Sequence, residues 1–206
     1  VSAPIIPFDP TGVERAAACI EAGGLLIFPT ETVYGIGADF NDIAAIHRVF
    51  AAKGRQTEQA LPLLVSTQDQ LDQVISFLPS NARILIDRFW PGPLTLVLPA
   101  HSEVPRVLTG GLPTVAVRQT ASPIACALID RLGKPVIGTS ANRSGQPPAT
   151  SAKEAASTFS NDIDLILDGG QTTVSPSTLV DVSGTEVSIL RYGPIAEIDI
   201  RNALSA

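Results

Sequence analysis

Short β-rich apolar runs alternate with helix-like stretches along the chain, and that alternation admits little besides an α/β architecture. Leu25-Leu26-Ile27-Phe28 reads as a buried strand, followed by Leu61 to Val65, Leu94 to Leu98, Val115 to Val117 and Pro135 to Gly138. Three more lie at Leu165 to Leu167, Thr178 to Val182 and Val187 to Leu190. Helix signals fall between them. Thr11 with Glu14 reads as a capping box opening a helix that stops near Gly23-Gly24. Asn41 is the expected cap of a helix with Ile43, Ile46, Val49 and Phe50 on one face, ending near Gly54. Thr67 and Ser80 start the next two helices. Ser122 caps a helix that has Pro123 in its first turn and Gly133 at its end. Ser151 with Glu154 is another capping box, and Ile195 to Leu204 reads as a final helix. Strands and helices are not strictly interleaved after residue 160. The expected fold is therefore a twisted, open, mixed sheet with flanking helices.

The chain has 206 residues, 45% hydrophobic and 17% charged, enough apolar material for a sizeable core. With no repeat, low-complexity tract or clear linker, one domain over residues 1–206 is expected. Cys19 and Cys126 are the two cysteines, which excludes a disulfide-dense scaffold, and each reads as a small buried apolar side chain. The stretch Val-Ser-Ala-Pro-Ile-Ile-Pro at the start has no basic region and no long apolar core, so no signal peptide is expected. No apolar run approaches the ~20 residues of a membrane-spanning helix, and the expected location is the cytoplasm. A net charge of −6 makes the chain a poor sequence-independent binder of nucleic acid, although bulk charge says nothing of a local basic cleft.

Polar residues collect where strands end. The clusters are Pro29-Thr-Glu-Thr-Val-Tyr-Gly-Ile-Gly37, Lys53-Gly-Arg55, Pro91-Gly-Pro-Leu-Thr95, Val117-Arg118, Gly138-Thr-Ser-Ala-Asn142, Ser177-Thr178 and Arg191. Crevices at strand ends are favoured ligand sites in open α/β sheets. Lys53 and Arg55 follow a helix, where they either complement the helix dipole or grip phosphates, Arg55 as a bidentate fork and Lys53 as a point charge. Gly138 to Asn142 is either a plain turn or a ligand loop with three hydrogen-bonding side chains. If the segment continues as a strand, Thr30, Thr32 and Tyr34 share one face and Glu31 points the other way.

What is missing narrows the chemistry. There is no Walker A pattern, no G-x-G-x-x-G and no G-x-S-x-G elbow. His47 and His101 are far apart in sequence and lack accompanying cysteine or acidic clusters, which argues against zinc. A polar, cationic crevice without a nucleophile suits catalysis by proximity and charge.

PTETVYGIG, KGR, WPGPLT, VAVR, GTSANRSG, and ST with a late LRYG, in this order between residues 29 and 193, resemble the YrdC-like threonylcarbamoyl-AMP synthases in their single-domain form. The resemblance implies an α/β sheet with a concave cationic face. It implies a nucleotidyltransferase that condenses L-threonine, bicarbonate and ATP into threonylcarbamoyl-AMP and pyrophosphate. A separate transferase complex then passes the threonylcarbamoyl group to an adenosine of tRNA. Carried over by motif, Lys53 and Arg55 are the phosphate-binding and catalytic residues, and Ser140, Asn142, Thr150 and Arg191 complete the ATP site. Thr32, Tyr34, Arg118, Ser140 and Ser177 match positions around the threonine, with Arg118 facing its carboxylate or a phosphate. Mg²⁺ is expected on the phosphates, with no protein side chain as ligand. The chain departs from the family pattern at Ser66, where many relatives have histidine, at Gln119-Thr120-Ala121, where many have Pro-x-His after the arginine, at Pro176, and in a longer loop between Arg55 and Pro62.

Two other readings remain open from the sequence. A carbamoyl-adenylate former with another acceptor shares the motifs, but its relatives carry zinc-finger and acylphosphatase-like modules that this sequence lacks. An RNA-binding module is opposed by the acidic composition and by the lack of an aromatic stacking platform among seven Phe, two Tyr and one Trp. Any direct RNA binding is expected to be weak.

Overall fold

The computed structural model describes residues 3–173 and 175–205. The reading of the first seven residues therefore falls partly on Val1 and Ser2, outside the described residues. In chain order the elements are β1 (Ile5–Pro7), α1 (Pro10–Glu21), β2 (Leu26–Pro29), β3 (Tyr34–Gly37), α2 (Ile43–Lys53), β4 (Leu63–Val65), α3 (Gln68–Asp72), α4 (Ser80–Phe89) and β5 (Leu94–Pro99). There follow β6 (Thr114–Gln119), α5 (Pro123–Leu132), β7 (Val136–Ile137), β8 (Thr139–Ser140), α6 (Ala152–Phe159), β9 (Leu165–Asp168), β10 (Thr178–Asp181), β11 (Ser188–Arg191) and α7 (Glu197–Leu204).

The expected mixed sheet is two mixed sheets. One has the order β1-β9-β2-β3-β8 and the other β11-β10-β5-β6-β4-β7. They are joined at Gly138. Before it, β7 pairs antiparallel with β4 in the second sheet; after it, β8 pairs antiparallel with β3 in the first. The Gly138 N–H donates to Pro62 O at 2.9 Å, and the Ala141 N–H donates to Tyr34 O at 2.8 Å, so both sheets hold the crossing. A strand pair too short to be read from periodicity thus sets the architecture.

Strand alternation builds two cores. Leu26 and Phe28 face a cluster with Ala16, Ala17 and Ile20 of α1 and Leu128 and Ile129 of α5. Leu25 and Ile27 face the larger cluster with Ile46, Val49 and Phe50 of α2 and Phe159 of α6. Leu64 lies in the first cluster, and its neighbours Leu63 and Val65 lie in the second. These strands are buried on both faces, which is why they read as unbroken apolar runs. Each fully buried Leu or Ile stabilises the fold by roughly 1.5–3 kcal/mol.

Helix starts differ from the sequence reading by one or two residues. Asp9, not Thr11, caps α1: its Oδ1 accepts from the Gly12 N–H at 2.7 Å. Pro10 supplies the first helical position, where a missing N–H costs nothing. Asp42, not Asn41, caps α2 and accepts from the N–H groups of Ala44 and Ala45 at 2.8 and 3.1 Å. Ile43, expected on the apolar face, is exposed because it is the first residue of the helix. Gly54 ends α2 in the left-handed region at φ 60, as expected. Thr67 and Ser122 cap α3 and α5, and α4 begins at Ser80, with Pro79 as its flanking residue. Ser151 caps α6, but Glu154 reaches back one residue further than a capping box requires and accepts from both the N–H and the hydroxyl of Thr150.

The segment read as a strand through Thr30, Thr32 and Tyr34 is a hairpin turn. β2 and β3 are antiparallel with Pro29 opposite Tyr34. The Thr30 hydroxyl donates to Val33 O at 2.8 Å and accepts from the N–H groups of Thr32 and Val33 at 3.2 and 3.3 Å. One side chain satisfies the turn backbone, so the chain reverses instead of extending.

Candidate functional site

A cavity of about 360 Å³ opens where the ends of both sheets meet the segment after α2. Its size is that of a small-molecule site. Arg55, Arg118 and Arg191 reach it from three different parts of the chain. Thr32, Thr95, Thr114, Thr139, Ser140 and Ser177 bring hydroxyls, and Val97, Leu112, Leu179 and Leu190 bring apolar surface. No histidine or cysteine is among the described residues that line it.

Each cation is held differently. Gly54 turns the chain out of α2, so Lys53 stays on the helix, buried, while Arg55 emerges beyond the cap. Arg55 donates through Nη2 to Ala60 O at 3.0 Å, and its buried Nε has no partner. Burial lowers its pKa from the usual arginine value. A buried unpaired donor on a cation is costly, and an anion in the cavity would satisfy it.

Arg191, at the end of β11, donates through Nε to Ser177 O at 2.9 Å and through Nη2 to Ser177 Oγ at 3.0 Å. Ser177 Oγ lies 2.7 Å from Thr95 Oγ1, so β5, β10 and β11 aim the guanidinium together. Burial lowers its pKa, and Arg118 and Arg55 lower it further. Arg55 and Arg191, neither of them in an ion pair among the described residues, form a ready site for a polyanion.

Arg118 on β6 is buried and ion-paired through Nη1 to Glu31. Burial lowers its pKa and the Glu31 charge opposes that shift. Glu31 does not itself line the cavity, but it reaches the lining residue Arg118, against the expectation that it points away. The hairpin turn removes the strand alternation on which that expectation rested.

Lys53 and Asn142 do not line the cavity but stand behind its wall. Lys53 Nζ donates to Ser140 O, to Asn142 O at 3.0 Å and to Asn142 Oδ1 at 3.3 Å. Burial, with Arg55 beside it, pushes its pKa down to about 7. Ser140 Oγ donates to Asn142 Oδ1 at 2.5 Å, and Asn142 Nδ2 donates to the carbonyls of Arg143 and Gln146. Arg143, beyond the loop, donates to Ala52 O at 2.5 Å, pairs with Asp162 at 2.6 Å and lies over the Phe159 ring. The 139–146 loop is therefore pinned to the C-terminal end of α2.

Two expected site residues point elsewhere. Tyr34 is fully buried and its hydroxyl donates to Gly170 O at 2.7 Å. Its pKa is pushed up to about 12, mainly by burial. Thr150 is engaged by Glu154 at the start of α6, and its carbonyl accepts from the Thr172 N–H at 2.9 Å. Both residues tie the segment after β9 to the hairpin and to α6 rather than reach the cavity. Thr95, which the sequence placed only in a polar cluster, does line it. Its signal was its place at the start of a strand after the Trp90-Pro-Gly-Pro turn. Asp181 is the one carboxylate among the described lining residues, and it accepts from the Ser183 N–H and hydroxyl.

The family departures divide: Pro176 and, from the longer loop, Ala60 line the cavity, whereas Ser66 and Gln119 lie together off its wall. Gln119 Nε2 donates to Ser66 O at 2.8 Å, and the Ser66 hydroxyl lies 3.1 Å from Gln70 Oε1 and 2.5 Å from Asp130 Oδ1. Ser66 and Gln119 have thus settled into a local polar network. Among the described residues no group of three or more His, Cys, Asp or Glu is placed to hold a metal ion, and no helix is long and apolar enough to cross a membrane.

A family model for the Sua5, YciO and YrdC proteins, described as telomere recombination, matches residues 18–193. A threonylcarbamoyl-AMP synthase of Pyrococcus abyssi is 46% identical over 190 residues, which cover 91% of this chain and 56% of that protein. Another from Halorhodospira halophila is 41% identical over 160 residues, covering 78% of this chain and 84% of that protein. The crystal structure of P. abyssi Sua5 complexed with L-threonine superposes with a TM-score of 0.93 at 42% identity, covering 98% of this chain and 61% of that one. The chain spans little more than half of the length of the P. abyssi protein. With this fold, and with the motifs from the PTETVYGIG hairpin to Arg191 inside the matched span, the chain belongs to the Sua5/YciO/YrdC family.

Proposed function

We propose that this chain, acting as a single domain, is an L-threonylcarbamoyladenylate synthase, a nucleotidyltransferase that makes threonylcarbamoyl-AMP and pyrophosphate from L-threonine, bicarbonate and ATP. One observation carries the reading: Arg55, Arg118 and Arg191 converge with six hydroxyl-bearing residues on a single cavity. The names of the curated relatives and the threonine-bound P. abyssi structure support the same assignment.

The threonine amine adds to the carbon of bicarbonate and water leaves, giving a carbamate. A carbamate oxygen then attacks the α-phosphorus of ATP. The new O–P bond forms as the bond from Pα to the bridging oxygen breaks, and pyrophosphate leaves with the electron pair. The substrate supplies the nucleophile, so the protein's work is to align the reactants and hold the phosphate charge. Arg55 and Arg191, backed by Lys53, take the phosphates. The Ser140–Asn142 loop is fixed beneath them by Lys53. The Mg²⁺ that accompanies ATP would be held mainly by phosphate oxygens and would offset their charge. Work on ATP and on a product destined for tRNA supports a cytoplasmic location, upstream of a separate transferase complex.

Pyrophosphate release from ATP tests the reading. Release that requires threonine and bicarbonate together is expected. Release from ATP alone, or with another amino acid but not threonine, would count against it. Ser66 and Gln119 lie off the cavity wall, but Pro176 and Ala60 of the longer loop line it, so other amino acids are tested beside threonine.

A further inference from the structure

We infer that Glu31 is a positioning and specificity-determining residue: by pairing with Arg118 it aims that guanidinium and offsets its charge, reserving this corner of the cavity for the amino acid and leaving the polyphosphate to Arg55 and Arg191. The inference rests on the synthase reading and assigns the division of charge within that site.

The geometry of the pair carries it. Glu31 stands in the turn between β2 and β3 of the first sheet, and Arg118 stands on β6 of the second. One carboxylate oxygen accepts from Arg118 Nη1 and the other accepts from Thr120 Oγ1 at 2.6 Å. Both Glu31 oxygens therefore engage residues at the end of β6, and the side chain cannot swing without losing two bonds. The Arg118 side chain is 6% exposed and that of Glu31 18%, so little water screens them.

The other two cavity arginines are arranged differently. Arg55 and Arg191 bond to neutral oxygens, and among the described residues neither forms an ion pair. Their charge is available to a polyanion. A paired Arg118 offers directed donors with little net charge. That suits a small zwitterion or a monoanionic carbamate, whereas a triphosphate gains more from the two unpaired guanidiniums. The Glu31 charge held against Arg118 also weakens the pull of this corner on phosphate.

Glu31→Gln keeps the shape and removes the charge. Inorganic tripolyphosphate, titrated calorimetrically, should bind roughly tenfold tighter to this variant. It should also become a competitive inhibitor against threonine. The KM for threonine should rise roughly tenfold while the KM for ATP holds or falls. The double variant Glu31→Gln/Arg118→Gln, a neutral pair, should return tripolyphosphate affinity to the starting value. Unchanged tripolyphosphate affinity in Glu31→Gln, or an equal weakening of ATP and threonine, would overturn the inference, because a merely structural brace predicts either. If Glu31→Gln folds poorly, Thr120→Val loosens the same carboxylate while keeping its charge. It should raise the threonine KM about threefold without moving that for ATP, and an unmoved threonine KM overturns the inference. The tripolyphosphate arm needs no turnover. A protein that takes up tripolyphosphate as described but releases no pyrophosphate with threonine and bicarbonate would sink the synthase reading and leave the charge division standing.

Discussion

Lys53 carries its ammonium where charge is disfavoured. It is buried at the end of α2, and Arg55 lies two residues on, so its pKa falls from the ordinary 10.5 to about 7. Three oxygens of Ser140 and Asn142 lie within bonding reach and favour the protonated form, so the site is poised between the two states. The unfolded chain binds more protons than the folded one between about 7 and 10.5, so this residue makes stability rise with pH across that window, and its burial costs most below pH 7. An anion on Arg55 cancels the nearby repulsion and raises the folded pKa. Binding of MgATP at pH 8 should therefore take up a fraction of a proton, and at pH 6 none at this residue. Calorimetry in two buffers of different ionisation enthalpy measures the uptake, with Lys53→Met as the control in which it vanishes. Equal proton uptake by Lys53→Met and the unaltered protein would show that the charge change lies elsewhere. From sequence alone, Lys53 and Arg55 look alike as cations after a helix. Only the left-handed Gly54 separates a buried support from a cavity residue, and a glycine in sequence reveals the freedom to turn but not its direction.

At the scale of elements, the caps show what a sequence can and cannot locate. Every helix expected from periodicity is present, but where two capping residues are neighbours the backbone decides between them. Asp42 accepts two N–H groups of α2, whereas Asn41 lies outside the helix and is exposed. Asp42→Ala should cost about 1 kcal/mol, or roughly 2–4 °C in Tm for a chain of this size. Asn41→Ala should shift it by less than about a quarter of that. Thermal unfolding of the two variants checks this, and equal shifts would reassign the cap. The hairpin at Thr30 was hidden for a related reason. Its turn has no glycine or proline among residues 30–33, because the Thr30 hydroxyl satisfies the turn backbone. Period-two reasoning then carried the strand through the whole turn at residues 30–33 and turned Glu31 the wrong way. The motif order located the site's strand ends, and Arg55, Ser140, Ser177 and Arg191 do meet there. The pairing of Glu31 with Arg118 and the burial of Tyr34 away from the cavity depend on tertiary register, which the sequence pattern does not encode.

The molecule as a whole depends on the passage of one backbone between two sheets. An added Cβ on Gly138 would lie 2.2 Å from Leu64 Cγ and 2.5 Å from its Cδ1, far inside contact distance. Leu64 cannot simply withdraw. It is 1% exposed on β4, packed in the cluster under α1 and α5, and it also forms part of the cavity wall. Gly138→Ala should therefore destabilise the fold by about 1–3 kcal/mol through overpacking. Leu64→Ala should cost about 2–5 kcal/mol through the cavity it leaves. Because each change relieves the other's defect, the double variant should be more stable than the sum of the two losses by at least about 1 kcal/mol. Denaturant unfolding of the three variants measures that coupling, and additivity within about 0.5 kcal/mol would mean that the contact does not fix the crossing. The consequence for function follows from what the crossing carries. Gly138 is followed at once by Thr139 and Ser140 on the cavity wall and by Asn142, which Lys53 holds from behind. A displaced crossing moves this loop away from Arg55 and Arg191, which are anchored by other elements. Gly138→Ala should therefore raise the KM for ATP in protein that is still folded, whereas the Asp42→Ala change at the far end of α2 should lower stability and leave that KM unmoved.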